Sequence, residues 1–221
     1  MFNAALAATP AGAEMLKGPL TADAINSEEF ADAFRTVATL DQQNGSANSS
    51  VNANDFAADF NNGLSAVFIN GVWGASQFAG SDNFVSCIYP NSVAISSANT
   101  GLYVANDLSD AQKELALEFI KYMTSEEVQS RYFLETSSNP INENVDIQKL
   151  AQESGDPTVL KLAEACDKCN KADTIVLAID VCWGNDVGGA LQNKFAECAV
   201  AGTDIEAKLA ELQAELTALI G

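Results

Sequence analysis

The sequence predicts a helix-rich α/β fold from two kinds of pattern. Apolar residues recur at helical spacing behind residues that cap helices, as in residues 109–122 and 203–219. Short apolar runs bounded by turn residues lie between these helices and predict strands. With 221 residues, of which 48% are apolar, the chain can bury a substantial core.

The predicted helices follow from caps and stripes in chain order. The first begins at Asn26, with Glu29 in the capping-box position, and carries apolar residues to Leu40. A short helix containing Phe56 and Phe60 ends at Gly63. Four more helices are predicted from Ser109 with Gln112, Thr124 with Glu127, Asp156-Pro157 and Thr203 with Glu206, and one more spans 186–199.

Three short runs have the composition of strands. They are Ser65–Ile69, which ends at Asn70-Gly71, then Phe84–Tyr89 and Leu102–Val104. The Ser- and Asn-rich stretch from Gly45 to Asn54 is predicted to be a loop. The order of the strands in a sheet does not follow from these patterns.

The charge balance excludes several classes of function. Lys and Arg total 11 against 30 Asp and Glu, which gives a net charge of -19 that repels nucleic acid and anionic lipid. The chain has no His, so imidazole cannot serve as a general base, a zinc ligand or a triad member. We therefore expect no nucleic-acid partner and no histidine-based chemistry.

Five cysteines raise the question of a metal or redox site. Cys166 and Cys169 form a Cys-x-x-Cys pair at the end of a helical pattern, whereas a redox role needs the motif at a helix start. A zinc site with Cys182 and Cys198 would lack a second closely spaced pair. The favoured interpretation is packing, and no metal or cofactor is expected.

The sequence also bears on membranes. No apolar run is long enough to span a bilayer, so no direct membrane insertion is expected. Residues 1–13 carry no Lys or Arg, so they do not qualify as a secretory signal.

Residues 60–73 resemble the family-1 extracellular solute-binding proteins. In that family a helix ending in Phe-x-x-Gly leads into a strand that delivers Asn-Gly-x-Trp at the edge of the ligand cleft, and the same order occurs here. Leu64 and Val67 depart from the family, which often has Lys and Met there. Further agreement, in order, comes from residues 113–120, 125–129, Asn139-Pro140, Trp183 ahead of a helix, and 201–203.

The resemblance implies a type II periplasmic-binding-protein-like lobe. Members usually have about twice this many residues in two lobes. It further implies that residues 1–95 and 143–221 form the second lobe, while 96–142 belong to the first. The implied partners are ABC permease subunits, and the implied location is the cell surface, as an anchored lipoprotein, or the periplasm.

The resemblance also indicates a carbohydrate site. Trp73 and Trp183 are predicted to line one concavity, since indole rings stack on the apolar faces of sugars. Arg35 and Arg131 both lie in helical patterns, so an uncharged ligand fits better than a carboxylate or phosphate. The polar members of the predicted site are Asn70, Thr100, Asn185 and Asp186.

Three alternatives stand beside this hypothesis. Either Trp could be an ordinary core residue. Paired carboxylates could make the protein a glycoside hydrolase, although most acidic residues lie at helix starts or on polar faces. A surface adhesion module would show a large apolar patch outside any cleft. The expectation is a receptor and not an enzyme.

Overall fold

The computed structural model describes residues 1–44, 53–78, 84–97 and 101–221. Most of the predicted loop at 45–54 lies outside these residues. The chain divides into two compact units: unit 1 comprises Met1–Val51, Ile88–Thr100 and Lys171–Gly221, and unit 2 comprises Asn52–Cys87 and Gly101–Asn170. The predicted boundaries at 95 and 142 concern the lobes of a longer protein, and they stay a prediction.

Helices account for most of the described residues. In chain order the elements are α1 (Phe2–Leu6), α2 (Pro10–Met15), α3 (Ala22–Ile25), α4 (Glu28–Asn44), α5 (Ala53–Asn61), two 3₁₀ helices (Val72–Phe78 and Pro90–Ser92), β1 (Val93–Ser96), α6 (Asp110–Met123), α7 (Glu126–Thr136), α8 (Ile147–Ser154), α9 (Pro157–Asn170), β2 (Thr174–Leu177), α10 (Ile179–Cys182), α11 (Asn185–Cys198) and α12 (Ile205–Ile220). No helix among the described residues is both long and apolar enough to cross a bilayer.

The core of unit 1 forms where α4 packs against α1, α11 and α12. Phe34 of α4 stacks on Phe195 of α11 with ring centroids 5.0 Å apart. The predicted apolar stripes of α4 and α12 are buried except at their ends, where Leu40 and Leu219 are exposed. Each large apolar side chain that is fully buried contributes about 1.5–3 kcal/mol. These include Phe30, Phe34, Leu212 and Leu216.

An ion-pair fork joins α4 to α12 at the surface. Arg35 donates to both carboxylate oxygens of Glu206, at 2.7 and 3.1 Å, and also to Glu28 and Asp32. The guanidinium therefore holds the pKa of the Glu206 carboxyl below its ordinary value. Because these groups are exposed, water screens their charges and the pairs add little to stability.

A two-stranded parallel sheet in unit 1 is the only sheet among the described residues. Val93 pairs with Thr174 and Ser96 with Leu177, and the Asn3 side chain donates to the Leu177 carbonyl at 2.8 Å. Neither strand was predicted. The predicted strands Ser65–Ile69, Phe84–Tyr89 and Leu102–Val104 are wrong for this structure, in which Tyr89 alone makes an isolated bridge. A segment with high strand propensity forms a strand only where another segment hydrogen-bonds to it.

Three predicted helix caps are each one residue too early. Ser27, Ser125 and Asp204 accept from backbone N–H groups at the starts of α4, α7 and α12. The residues predicted as caps instead donate to carbonyls before them: Asn26 to Ala22, Thr124 to Ile120 and Thr203 to Glu197. The capping box of Ser109 and Gln112 on α6 is confirmed.

Unit 2 has a smaller core. It is formed by Phe133, Ala151, Leu162, Ala163 and Cys166, from α7, α8 and α9, and the 3₁₀ helix Val72–Phe78 packs on α9. The predicted short helix is confirmed as α5, and a left-handed Gly63 with φ 72° follows it. α7 ends at Thr136, before the predicted stop at Asn139-Pro140, because Ser137 adopts the left-handed conformation.

Candidate functional site

Trp73 lies in unit 2 on the 3₁₀ helix Val72–Phe78. Its neighbours Val72 and Ala75 pack against the unit 2 core, whereas 53% of Trp73 is exposed. The core contacts of the short helix thus fix the backbone on which the indole sits. A large aromatic side chain that is half exposed on a connection can offer a ring face to a ligand.

The two glycines beside Trp73 explain the local sequence. The indole lies over the backbone of Gly71 so closely that a β-carbon there would collide with its six-membered ring. Gly74 donates to the Gly71 carbonyl at 2.9 Å, and the side chain of Asn70 lies against Gly74. Asn70 is exposed, and its Oδ1 accepts from the Gly71 N–H at 2.8 Å. Asn-Gly-x-Trp-Gly is therefore a compact turn that sets the indole orientation.

Trp183 lies in unit 1 and has a different environment. The residue ends α10, packs against the main core and stacks on Phe30 with centroids 6.4 Å apart and planes at 25°. Its Nε1 donates to the Gly18 carbonyl at 3.2 Å. The side chain is half-buried, so part of the indole has a packing role and part reaches the surface.

Asn185 and Asp186 follow Trp183 at the start of α11. Gly184, at φ 92°, makes the turn between α10 and α11, and both polar residues are exposed in the first helical turn. Their side chains can hydrogen-bond to hydroxyl groups. Thr100, the remaining predicted site residue, lies outside the described residues.

The predicted site residues are thus divided between the two units. Asn70 and Trp73 belong to unit 2, and Trp183, Asn185 and Asp186 belong to unit 1. The shared concavity of the two indoles stays a prediction. In the described part of unit 1, grooves of about 570 and 270 Å³ have walls that contain none of these residues.

The cysteines of the chain are all free thiols. Burial raises the pKa of Cys166 to about 12 and also raises that of Cys169, so both thiols stay protonated near neutral pH. Both lie in the last turns of α9, as predicted. Within the described ranges, no three His, Cys, Asp or Glu side chains are grouped as metal ligands.

Several carboxylates of unit 1 are held in ion pairs. Glu211 accepts from Lys194 at 3.0 Å and from Lys208 at 2.9 Å, and Lys208 also pairs with Glu197 at 2.8 Å. The lysines lower the pKa values of both carboxyls. A glycosidase acid needs the opposite shift, so these groups suit helix pairing between α11 and α12.

Comparison with known proteins identifies the family. A model of bacterial extracellular solute-binding proteins matches residues 1–157. A search of curated proteins finds no match. The solved structure of a Streptococcus pneumoniae solute-binding protein, in complex with the blood group A-trisaccharide, is 39% identical with a TM-score of 0.90. The match covers 98% of this chain and 56% of that chain, so this chain spans about half the length of its relative. The chain belongs to the bacterial extracellular solute-binding protein family.

Proposed function

We propose that this chain is the carboxyl-terminal half of the carbohydrate-binding component of an ABC importer. The observation that carries the proposal is the 39% identity, over 98% of the chain, to a solute-binding protein in complex with a trisaccharide. The protein acts as a receptor and not as an enzyme. ABC permease subunits are its partners, and family membership places it in the extracellular space or the periplasm. Attachment as a lipoprotein is part of the proposal.

The arginines support an uncharged ligand. A carboxylate or phosphate ligand is usually fixed by a guanidinium. Arg35 is already bound by Glu206, Glu28 and Asp32, and Arg131 pairs with Glu135 at 3.2 Å. Both guanidinium groups thus serve ion pairs within their own unit. A neutral, hydroxyl-rich solute fits the remaining chemistry better.

The binding contacts follow from the site residues. Trp73 and the exposed part of Trp183 stack on sugar rings, while Asn70, Thr100, Asn185 and Asp186 bond to hydroxyls. In the longer receptor, residues 1–95 and 143–221 belong to the second lobe and 96–142 to the first. Closure of two lobes around the solute would then remove it from water and create the surface that the permease recognises.

A calorimetric titration tests the proposal. The probe is the blood group A-trisaccharide, with neutral mono- and disaccharides in parallel. We expect binding on the order of millimolar by the 221-residue chain, because it offers only part of a two-lobed site. The affinity should rise by orders of magnitude in a longer polypeptide that includes a first lobe.

Two variants and one assay separate the alternatives. Trp73→Ala should abolish binding, whereas Tyr132→Ala, which removes an exposed aromatic ring from α7, should leave it unchanged. Equal loss in both variants would contradict the site assignment. Cleavage of the sugar during the titration would favour a glycoside hydrolase. A rise in the thermal unfolding midpoint of the chain with an amino acid or an oxyanion would refute the proposal of a neutral ligand.

A further inference from the structure

The Asn70-Gly71 pair, in the turn that carries Trp73, has a geometry that favours a reaction of its own. The Gly71 N–H donates to Asn70 Oδ1 at 2.8 Å. Since a C=O bond is about 1.2 Å long, the Gly71 nitrogen lies at most about 4 Å from Asn70 Cγ. This is close to the separation of about 3–3.5 Å from which a nucleophile attacks. The Gly71 nitrogen is therefore held beside the amide carbon of the preceding side chain.

Neighbouring contacts hold this arrangement while leaving it open to water. The Asn70 side chain lies against Gly74, where an added β-carbon would be 3.2 Å from Nδ2. Gly74 is buried and donates to the Gly71 carbonyl at 2.9 Å, so the backbone around the pair is fixed. Asn70 itself is exposed, so solvent base reaches the pair and ammonia can leave. Because Gly71 has no β-carbon, it has no side chain to shield its nitrogen.

We propose that Asn70 is a site of spontaneous deamidation through a cyclic imide formed with Gly71. The Gly71 nitrogen attacks Asn70 Cγ, so that an N–Cγ bond forms and the Cγ–Nδ2 bond breaks. Solvent carries the Gly71 amide proton to Nδ2, which leaves as ammonia. Water then opens the five-membered imide ring. Cleavage of the new N–Cγ bond gives aspartate, whereas cleavage of the original peptide bond gives isoaspartate.

Both products change the turn beside Trp73. Aspartate places a negative charge where the amide donor of Asn70 stood. Isoaspartate adds one carbon atom to the backbone ahead of Gly71, in the segment that sets the indole orientation. The consequence for sugar binding rests on the proposed function, whereas the modification itself does not, so either can fail alone.

A second Asn-Gly pair in unit 2, Asn62-Gly63, is a matched control. Both of its residues are exposed, whereas Gly71 is half-buried, so exposure alone would favour reaction at Asn62. The Gly63 N–H, however, donates to the Phe60 carbonyl at 3.0 Å, in the turn that closes α5. This bond directs the Gly63 N–H to the helix and not to the Asn62 side chain. Folded geometry therefore favours Asn70 over Asn62, although the dipeptides are the same.

Peptide mapping by mass spectrometry tests the proposal. The folded 221-residue chain is incubated for days in mildly alkaline buffer and digested at acidic pH, and the mass gain from replacing NH₂ by OH is measured at each Asn. Chromatography against synthetic peptides separates isoaspartate from aspartate. We expect conversion at Asn70 to be at least about tenfold faster than at Asn62. In concentrated urea the two rates should agree within about twofold, because the unfolded pairs have no fixed geometry.

The two rates and one variant decide the outcome. Conversion at Asn70 that is no faster than at Asn62 in the folded chain overturns the proposal. A rate difference that persists unchanged in urea also overturns it, because the neighbouring sequence and not the folded geometry would then be the cause. Asn70→Gln, which moves the amide carbon one methylene further from the backbone, should abolish conversion at residue 70 and leave the rate at Asn62 unchanged. Equal conversion at residue 70 in this variant would contradict attack by the Gly71 nitrogen.

Discussion

The two tryptophans should differ sharply in their effect on stability. Trp183 stacks on the fully buried Phe30 and donates to the Gly18 carbonyl, whereas 53% of Trp73 is exposed. Truncating a fully buried aromatic residue costs about 3–5 kcal/mol. Since Trp183 is half-buried, we expect about half of that from packing and about 1 kcal/mol from the lost hydrogen bond.

The expected loss for Trp183→Ala is therefore about 2.5–3.5 kcal/mol, against less than about 1 kcal/mol for Trp73→Ala. Trp183→Phe keeps an aromatic ring and should lose about 1 kcal/mol, from the hydrogen bond alone. Urea unfolding followed by circular dichroism at about 222 nm measures these losses in the free energy of unfolding without relying on indole fluorescence. If the free energy of unfolding falls by about 2–3 kcal/mol per molar urea, Trp183→Ala should lower the urea midpoint of unfolding by about 1 M.

The comparison can refute the structural reasoning. If Trp183→Ala destabilises no more than Trp73→Ala, the indole of Trp183 is not part of the unit 1 core. In that case the stacking on Phe30 and the bond to Gly18 contribute nothing to folding. The proposed sugar contact would then be the remaining role for Trp183.

Two further predictions concern a helix cap and a buried thiol. Asp204→Ala removes the acceptor for the Glu206 and Ala207 N–H groups and should lower the free energy of unfolding in urea by about 1 kcal/mol. The exposed control Glu215→Ala should lower it by less than about 0.5 kcal/mol. Equal losses would show that the cap is misassigned. Burial raises the pKa of Cys166 from 9.0 to about 12, so the unfolded chain loses this proton first and stability should fall as pH rises above about 9. The free energy of unfolding of Cys166→Ala should fall less steeply between about pH 9 and 11, and parallel curves would contradict the burial of the thiol.

Helices could be predicted from sequence because their signals are local. The stripe that contains Leu209, Leu212 and Leu216 specifies one face, and burial of that face follows in α12. The exact first residue of each helix was harder to predict, because either of two adjacent polar residues could act as the N-cap. At Thr203 and Asp204 the first bonds backwards to Glu197 and the second caps, a choice that depends on the preceding helix.

Strands were predicted poorly because pairing is not local. Residues 65–69 have strong strand composition but lie outside the sheet, while Val93–Ser96 forms β1 through a partner 81 residues further along the chain. The environment of Trp183 depends in the same way on Phe30 and Gly18, which no local pattern connects to it. By contrast, the turn at Asn70-Gly71 that carries Trp73 is local, and the half-exposed position of Trp73 agrees with the sequence.

The discontinuity of unit 1 has a consequence for the order of events during synthesis. α4 is complete at Asn44, but α12, which covers it, begins about 160 residues later, at Ile205. At about 5–20 residues per second, a ribosome needs about 10–30 s to span that interval. During this time Phe30 and Phe34 cannot pack with α12, and β1 cannot pair with β2 until β2 is synthesised. We therefore expect a nascent chain to need a holding chaperone until α12 emerges, and we expect nonsense mutations that remove α12 to yield aggregates.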